Sequence, residues 1–311
     1  MLELNNYYIQ EIENLTDLFT IIYTIVDDVY NDIIPISIRN RRNIKECKLS
    51  DSEIITISIV GELLTIDSEK AFFSLLSREY IKLFPKLGDR TRFNRTKRNL
   101  HAVIKEIREY ISEYIQAYSN NIRIIDSMPI PVCEFGRAHF SKCFKGEASY
   151  GRCPSKKEVY LGYKVHAMIT LEGYITNFEI TPASTDDRDG LRDMLENETN
   201  MVIIGDKGYI SEKLSDEMKC KGICVMALKR SNSKNNWTKP IRQLIFKLRR
   251  RVETVFSQLS LQLNSERVLA KSFQGLCTRL VNKMLAYNLC LAINSMFCEN
   301  CDIGKIKKLI F

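Results

Sequence analysis

Three acids in this chain, Asp126, Asp206 and Glu253, stand in contexts suited to metal-assisted chemistry at phosphorus. Asp126 follows the apolar run "NIRII" and precedes "SMPIPV"; Asp206 follows "NMVIIG". Short Ile-rich runs stopped by breakers read as buried strands. Side chains at the carboxyl edge of a sheet converge on one crevice. Glu253 lies in "RRRVETVFSQLSLQL", where Val252, Val255, Phe256, Leu259 and Leu263 form one apolar helical face. Glu253 stands about 100° from Val252 on that helix and flanks the face rather than opposing it. A helix packed on the sheet would aim this carboxylate at the sheet edge.

Three converging carboxylates repel one another unless cations neutralise them. Two divalent ions roughly 3.5–4 Å apart do this and promote displacement at a phosphodiester. The chain holds only three histidines, His101, His139 and His166, so a metal would be held mainly by carboxylates. Oxygen ligands favour a hard ion, Mg²⁺ or Mn²⁺. Each acid also has a plain structural reading. An Asp after a strand is often a turn former or helix cap, and Glu253 can pair with Arg249 at i−4. Asp186, Asp187 and Asp189 read as turn and capping residues of the helix that follows them. His166, on a strand beside the proposed site, reads as a packed or supporting residue rather than a ligand.

Cations crowd the same region. From Lys229 to Arg251 there are nine Lys or Arg and no acid, namely Lys229, Arg230, Lys234, Lys239, Arg242, Lys247, Arg249, Arg250 and Arg251. Arg242, Arg249, Glu253 and Ser260 fall on one flank of the helix. Carboxylates that handle metals beside a phosphate backbone need cations that dock that backbone. Arg242, Lys247, Arg249 and Arg250 are therefore candidate DNA contacts, as is Lys207 next to Asp206. A second cluster, "GDRTRFNRTKRNL", opens a helix and offers Arg92, Arg95 and Arg98, as a recognition helix would. A third basic stretch, Arg137 to Lys164, has the loop-like centre "KGEASYGRCPSKK". It carries Cys143, Cys153 and His139, with Cys133 just before it, and no tight ligand pair. Trp237 could stack on a splayed base or pack internally.

The elements that must position these residues follow from periodicity. Residues 1–120 read helical, beginning with Ile9, Ile12, Leu15, Leu18, Ile22, Ile25 and Val29 at helical spacing. Further helices start after Ser50 and at Ser68, and a fourth, capped by Asp89 or Thr91, runs to about Tyr118. Residues 121–265 read as β-β-β-α-β-α-β-α, with a hairpin turning at Glu172-Gly173 and a long helix over 239–264. That order predicts an α/β unit with a mixed five-stranded sheet and helices packed on it. Residues 266–311 return to helix, expected to pack on the sheet domain.

With 311 residues, 45% hydrophobic and 27% charged, the composition is that of a globular chain. The net charge of +8 favours polyanionic partners. No basic n-region opens the chain, and the apolar run Leu18 to Val26 is too short to span a bilayer. The ten cysteines therefore read as reduced thiols in a cytosol, and Cys298-x-x-Cys301 alone is a weak zinc signal. The expectation is a cytoplasmic, nucleoid-associated protein without a membrane.

The segments "RIIDSMPIPVC", "YLGYKVHAMIT", "IIGDKGYIS" and "RRRVETVFSQL" resemble the DDE transposases of bacterial insertion sequences. The likeness is closest to the insertion-sequence family numbered 982, and "LSDSEIITISIVGELLTID" is similar to the same group. The resemblance implies an RNase H-like catalytic domain, with Asp126, Asp206 and Glu253 as a triad binding two Mg²⁺ ions. It implies double-stranded DNA partners, the terminal repeats and a target, engaged by at least a homodimer. Related groups carry a Tyr–Arg–Glu–Lys signature. Here those positions are Phe246, Arg249, Glu253 and Ser260, so only the arginine and glutamate are kept. A structure-specific metal-dependent nuclease and an inactive DNA-binding relic are the alternatives on the same residues.

Overall fold

The computed structural model describes residues 12–42, 44–115, 119–153, 157–209, 211–228, 236–297 and 304–306. Ile9, Lys229, Arg230, Lys234, Cys298 and Cys301 lie outside the described residues. The chain forms two compact units. One comprises Met1–Ile115, Gln262–Ser265 and Gln274–Phe311; the other comprises Gln116–Leu261 and Glu266–Phe273.

The described part of the first unit is helical. It contains α1 (Leu15–Ile33), α2 (Ile36–Arg39), α3 (Asp51–Leu63), α4 (Glu69–Glu79), α5 (Arg90–Asn99) and α6 (His101–Tyr114). Local chemistry fixes the starts. Asn14 with Asp17, and Ser50 with Glu53, form capping boxes, while Ser68 and Asp89 cap α4 and α5. The predicted fourth helix is two helices, broken at Leu100. The long helix α11 (Phe273–Phe297), named here ahead of the elements between, contributes most of its length to this unit. Leu276, Leu280, Met284, Leu285 and Leu289 of α11 are fully buried, and at about 1.5–3 kcal/mol each they dominate its packing. Glu62 of α3 is buried, and Arg279 and Lys283 of α11 reach it at 2.8 and 2.5 Å. Asn288 of α11 also donates to Ser112 of α6.

The second unit holds β1 (Ile122–Cys133), α7 (Phe135–Ala138), β2 (Ser149–Cys153), β3 (Glu158–Ile169), β4 (Ile175–Pro182), α8 (Asp187–Met194), β5 (Val202–Gly205), α9 (Glu212–Lys219), β6 (Cys224–Ala227) and α10 (Lys239–Leu261). The sheet is mixed, in the order β2-β3-β1-β5-β6, with β4 also on β3. β5 runs parallel to β1 and β6, and β3 runs antiparallel to its partners. Six strands occupy five lanes, because β2 pairs with residues 158–162 of β3 and β4 with residues 163–169. The sixth strand, β2, comes from the basic stretch expected to be a loop. The hairpin turn falls at Gly173, in the left-handed region at φ +102°.

β1 continues past Asp126 through Pro129 and Pro131, where the sequence predicts an end. Its ladder with β5 covers only Ile122 to Ile124, so beyond that point one edge of β1 carries no partner strand. Prolines, which lack the N–H, are tolerated there.

Side chains alternate across the sheet. Ile125, Met168 and Ile203 face α8 and α9 in a core shared with Leu191, Leu214 and Met218. Asp126 therefore faces the other way, toward α10. Val252, Val255 and Leu259 of α10 are fully buried. At about 1.5–3 kcal/mol each, these three outweigh any single polar contact on the helix and fix its rotation.

Candidate active site

The rotation of α10 puts Arg249 between two acids. Its Nη2 donates to Asp126 Oδ2 at 3.3 Å, and its Nη1 lies 3.5 Å from Asp206 Oδ1. Asp126 leaves β1 just beyond its last pairing with β5, and Asp206 follows the last residue of β5. The parallel register therefore delivers both carboxylates to one place, as their strand contexts predict.

Their environments differ. The Asp206 side chain is 45% exposed and that of Asp126 23%. Burial raises Asp126 to about 6, against the lowering effects of the Ser127 amide and Arg249, and the charge of Asp206 adds to the rise. The Ser127 N–H donates to Asp126 Oδ1 at 2.9 Å. Arg249 is half-buried, and its Nε has no partner.

These facts bear on whether a divalent cation suits the site. Two hard carboxylate ligands, one of them desolvated, share a single cationic group, so the pair carries more negative charge than Arg249 neutralises. The aspartate pair fits such an ion. Glu253 lies one turn beyond Arg249 on α10, is exposed, and makes no ion pair or hydrogen bond among the described residues. Among the described residues no three His, Cys, Asp or Glu stand close enough together to hold a metal ion. The structure thus brings Asp126 and Asp206 together and leaves Glu253 apart from them.

The candidate DNA contacts divide similarly. Arg242, Lys247, Arg250 and Lys207 are exposed. Arg250 stacks over Phe246, 5.0 Å from the ring centroid. Arg249 differs, since its guanidinium is engaged by the two acids and is not a free phosphate contact in this state. Ser260, at the lost lysine position, bonds to Glu266 at 3.0 Å. In the helical unit Arg92, Arg95 and Arg98 are exposed on α5, and Arg92 also donates to the Glu46 carbonyl. Arg41, Arg42, Arg92 and Arg95 line an open cleft of about 520 Å³. Trp237 donates from its indole to the Ala227 carbonyl at 2.9 Å, which is the packing role.

One residue was missed by the sequence reading. Of the three acids assigned to the start of α8, Asp186 is the cap, accepting from the Arg188 N–H, and Asp189 pairs with Arg192. Asp187 turns inward. Its Oδ1 accepts from Lys164 Nζ at 2.8 Å and from Ser127 Oγ at 3.3 Å. The signal was present, because Asp187, Gly190, Leu191 and Met194 share the i, i+3, i+4, i+7 face that meets the sheet. His166, also there, is fully buried, with Nε2 2.9 Å from Thr181 Oγ1. Burial lowers it to about 4, against the pull of Asp187, so it is neutral near pH 7.

Residues 116–270 match the family model described as transposase DDE domain. No curated protein matches the chain significantly. Among solved structures, the piggyBac transposase synaptic complex with hairpin DNA, seen by cryo-EM, is similar at 11% identity. The alignment covers 97% of this chain and 80% of that one, with a TM-score of 0.43. Among the described residues no helix is long and apolar enough to cross a membrane.

Proposed function

We infer that this protein is a transposase, and that Asp126 and Asp206, which meet on Arg249 inside the stretch matching the transposase DDE domain, carry its chemistry. That meeting is the observation on which the reading rests. Within it, residues 121–265 form an RNase H-like DDE domain of the insertion-sequence type, closest to the family numbered 982. Glu253 completes the acid triad. One turn of α10 separates it from Arg249, which touches both aspartates.

The triad would hold two divalent ions, Mg²⁺ or Mn²⁺, which when bound supply Lewis-acid activation of the attacking oxygen and stabilise the leaving oxygen. The protein's own residues do the rest. Asp126 and Asp206 fix where the scissile phosphate sits. Arg249 holds the two carboxylates together before substrate arrives. Lys207, Arg242, Lys247 and Arg250 would neutralise the DNA backbone. Two in-line displacements follow at one site. In the first, water adds to phosphorus at the element end, the P–O3′ bond breaks, and the 3′-oxygen leaves as a hydroxyl. In the second, that hydroxyl attacks a target phosphodiester and expels its 3′-oxygen, joining element to target. Arg92, Arg95 and Arg98 on α5 serve recognition of the terminal inverted repeats, and pairing of two ends calls for at least a homodimer. The proposed location is the cytoplasm, at the nucleoid.

The test is strand cleavage of labelled duplex carrying the sequences that flank the gene, with Mg²⁺ or with EDTA, by the intact protein and by E253Q. Metal-dependent cleavage lost in E253Q supports the reading. Equal cleavage by E253Q would sink the triad.

A further inference from the structure

One carboxylate reaches both a central strand and the turn that carry the aspartate pair, and the strand beside them. Asp187 accepts from Ser127 on β1, the residue next to Asp126. It pairs with Lys164 on β3 at 2.8 Å. It also packs on the turn after β5, where a Cβ added to Gly208, two residues past Asp206, would stand 3.0 Å from Asp187 Oδ2. Beside it lies the Tyr209 hydroxyl, buried and without a hydrogen-bond partner. Tyr209 resists ionisation through burial and the charges of Asp187, Asp126 and Asp206, in that order.

The contacts come from the sheet face opposite Asp126. In the β1–β3 register Ser127 lies opposite His166 and Pro129 opposite Lys164, so their side chains share the face that α8 covers. Asp187 thus acts from behind the strands. The helix reaches that depth because Gly190 has no side chain. A Cβ there would stand 2.6 Å from His166 Cδ2.

We propose that Asp187 is a positioning residue of the active site, bracketing the middle of β1 and the turn after β5 through Ser127, Lys164 of β3 and the Gly208 turn so that Asp126 and Asp206 stay at ion-sharing separation. The proposal rests on the transposase reading given above. Groups that orient metal-holding carboxylates from outside the site usually change metal affinity or activity by about 10–100-fold when altered. Asp187 is the negative partner of Lys164, so an amide at this position keeps the shape and removes the charge. Lys164 and Asp187 then act as one unit, and losing both should cost no more than losing one.

The experiment uses the full chain with D187N, S127A, K164Q, the double variant K164Q D187N, and D126N as control. Three quantities are read: the Mg²⁺ concentration at half-maximal rise in melting temperature, the cleavage rate at the element end, and duplex affinity in EDTA. For D187N the expected result is a Mg²⁺ midpoint and a cleavage rate each worse by about 10–100-fold, with duplex affinity in EDTA within about twofold. S127A should shift the midpoint in the same direction by less, and the double variant should match the worse single. A Mg²⁺ midpoint unchanged in both D187N and S127A overturns the bracket. So does a D187N loss that multiplies with that of K164Q, or a D187N protein that fails to fold while S127A keeps the parent midpoint. If D126N cleaves like the parent, the transposase reading falls instead, whatever D187N does.

Discussion

Arg249 and Asp126 are 123 residues apart in the chain and 3.3 Å apart in the structure. The same guanidinium lies 3.5 Å from Asp206. Without metal, this arginine is the cation that lets two acids share one place. Replacing it by glutamine should leave the acids facing each other unpaired. Removing one partner of a fully buried pair costs about 3–5 kcal/mol; Asp206 is 45% exposed, so a loss of about 1–3 kcal/mol is the expectation here. The loss should be larger at pH 8 than at pH 5, where Asp126 is mostly protonated. Urea melts of R249Q at the two pH values in EDTA decide it, and an equal loss at both would contradict the shared-cation account.

Asp126 itself should limit the stability of the metal-free protein. Burial raises it from the ordinary 3.8 to about 6. The folded state therefore binds more protons than the unfolded chain between about pH 4 and 6, and stability falls as pH rises through that window. Above it the ionised side chain costs up to about 3 kcal/mol. D126N removes the charge, so in EDTA it should melt higher than the parent above pH 6 and converge with it below pH 4. It should also abolish cleavage. A variant less stable than the parent at pH 8 would show that Asp126 is held by favourable contacts that outweigh its burial.

The parts of this arrangement legible in sequence are those set by local pattern. Apolar runs before Asp126 and Asp206, the buried stripe of α10, and the caps Ser50, Ser68 and Asp89 needed no tertiary information. What escaped was set by neighbours. β1 runs through two prolines because β5 pairs with only three of its residues. β2 forms in a basic, Gly-containing stretch because β4 leaves part of one edge of β3 free. Arg249 looked like a phosphate contact because its sequence neighbours are cations; its spatial neighbours are acids. Asp187 was hidden by Asp186, since a doublet of acids before a helix leaves open which one is the cap.

Gly190 should be intolerant of a gain that helices normally welcome. Alanine in place of glycine favours a helix by about 1 kcal/mol. Here the added Cβ meets the buried His166 ring at 2.6 to 2.8 Å. The ring is wedged against Thr181 and cannot swing away freely. Forcing a methyl into such a contact costs about 1–3 kcal/mol, so the clash is expected to equal or exceed the propensity gain. G190A should melt no higher than the parent and should weaken metal binding, because α8 carries Asp187. A G190A protein with a raised melting temperature and a normal Mg²⁺ midpoint would mean that α8 can move without disturbing the acids.

In the helical unit, Glu62 should control acid stability. Burial alone would raise its carboxyl, but Lys283 and Arg279 prevail and hold it at about 2, below the ordinary 4.5. A depressed acid contributes stability that is complete above about pH 4.5 and is lost as pH falls toward 2. E62Q keeps the shape and strands two buried cations, at a cost of about 3–5 kcal/mol near neutral pH. Circular dichroism during acid titration should show the parent losing helix below pH 4.5, with E62Q already weaker at pH 7. A parent curve flat to pH 2 would count against a stabilising charge on Glu62.

Glu253 gives the sharpest separation between structure and chemistry. It is exposed on α10 and has no ion pair or hydrogen bond among the described residues, although Arg249 stands one turn away. Substitutions at such positions shift stability by no more than about 0.5 kcal/mol. In EDTA, E253Q should therefore melt with the parent, unlike R249Q and D126N, which should move in opposite directions. In Mg²⁺ the three should diverge from the parent together, because each alters the group that holds the ions or keeps its members in place. The observation to make is the Mg²⁺-induced rise in melting temperature for each variant beside its cleavage rate. If E253Q keeps the full rise and the full rate, Glu253 is a solvated helix residue and the third acid must be sought elsewhere. If it loses both while its metal-free melting is unchanged, the glutamate is recruited only when the ions arrive.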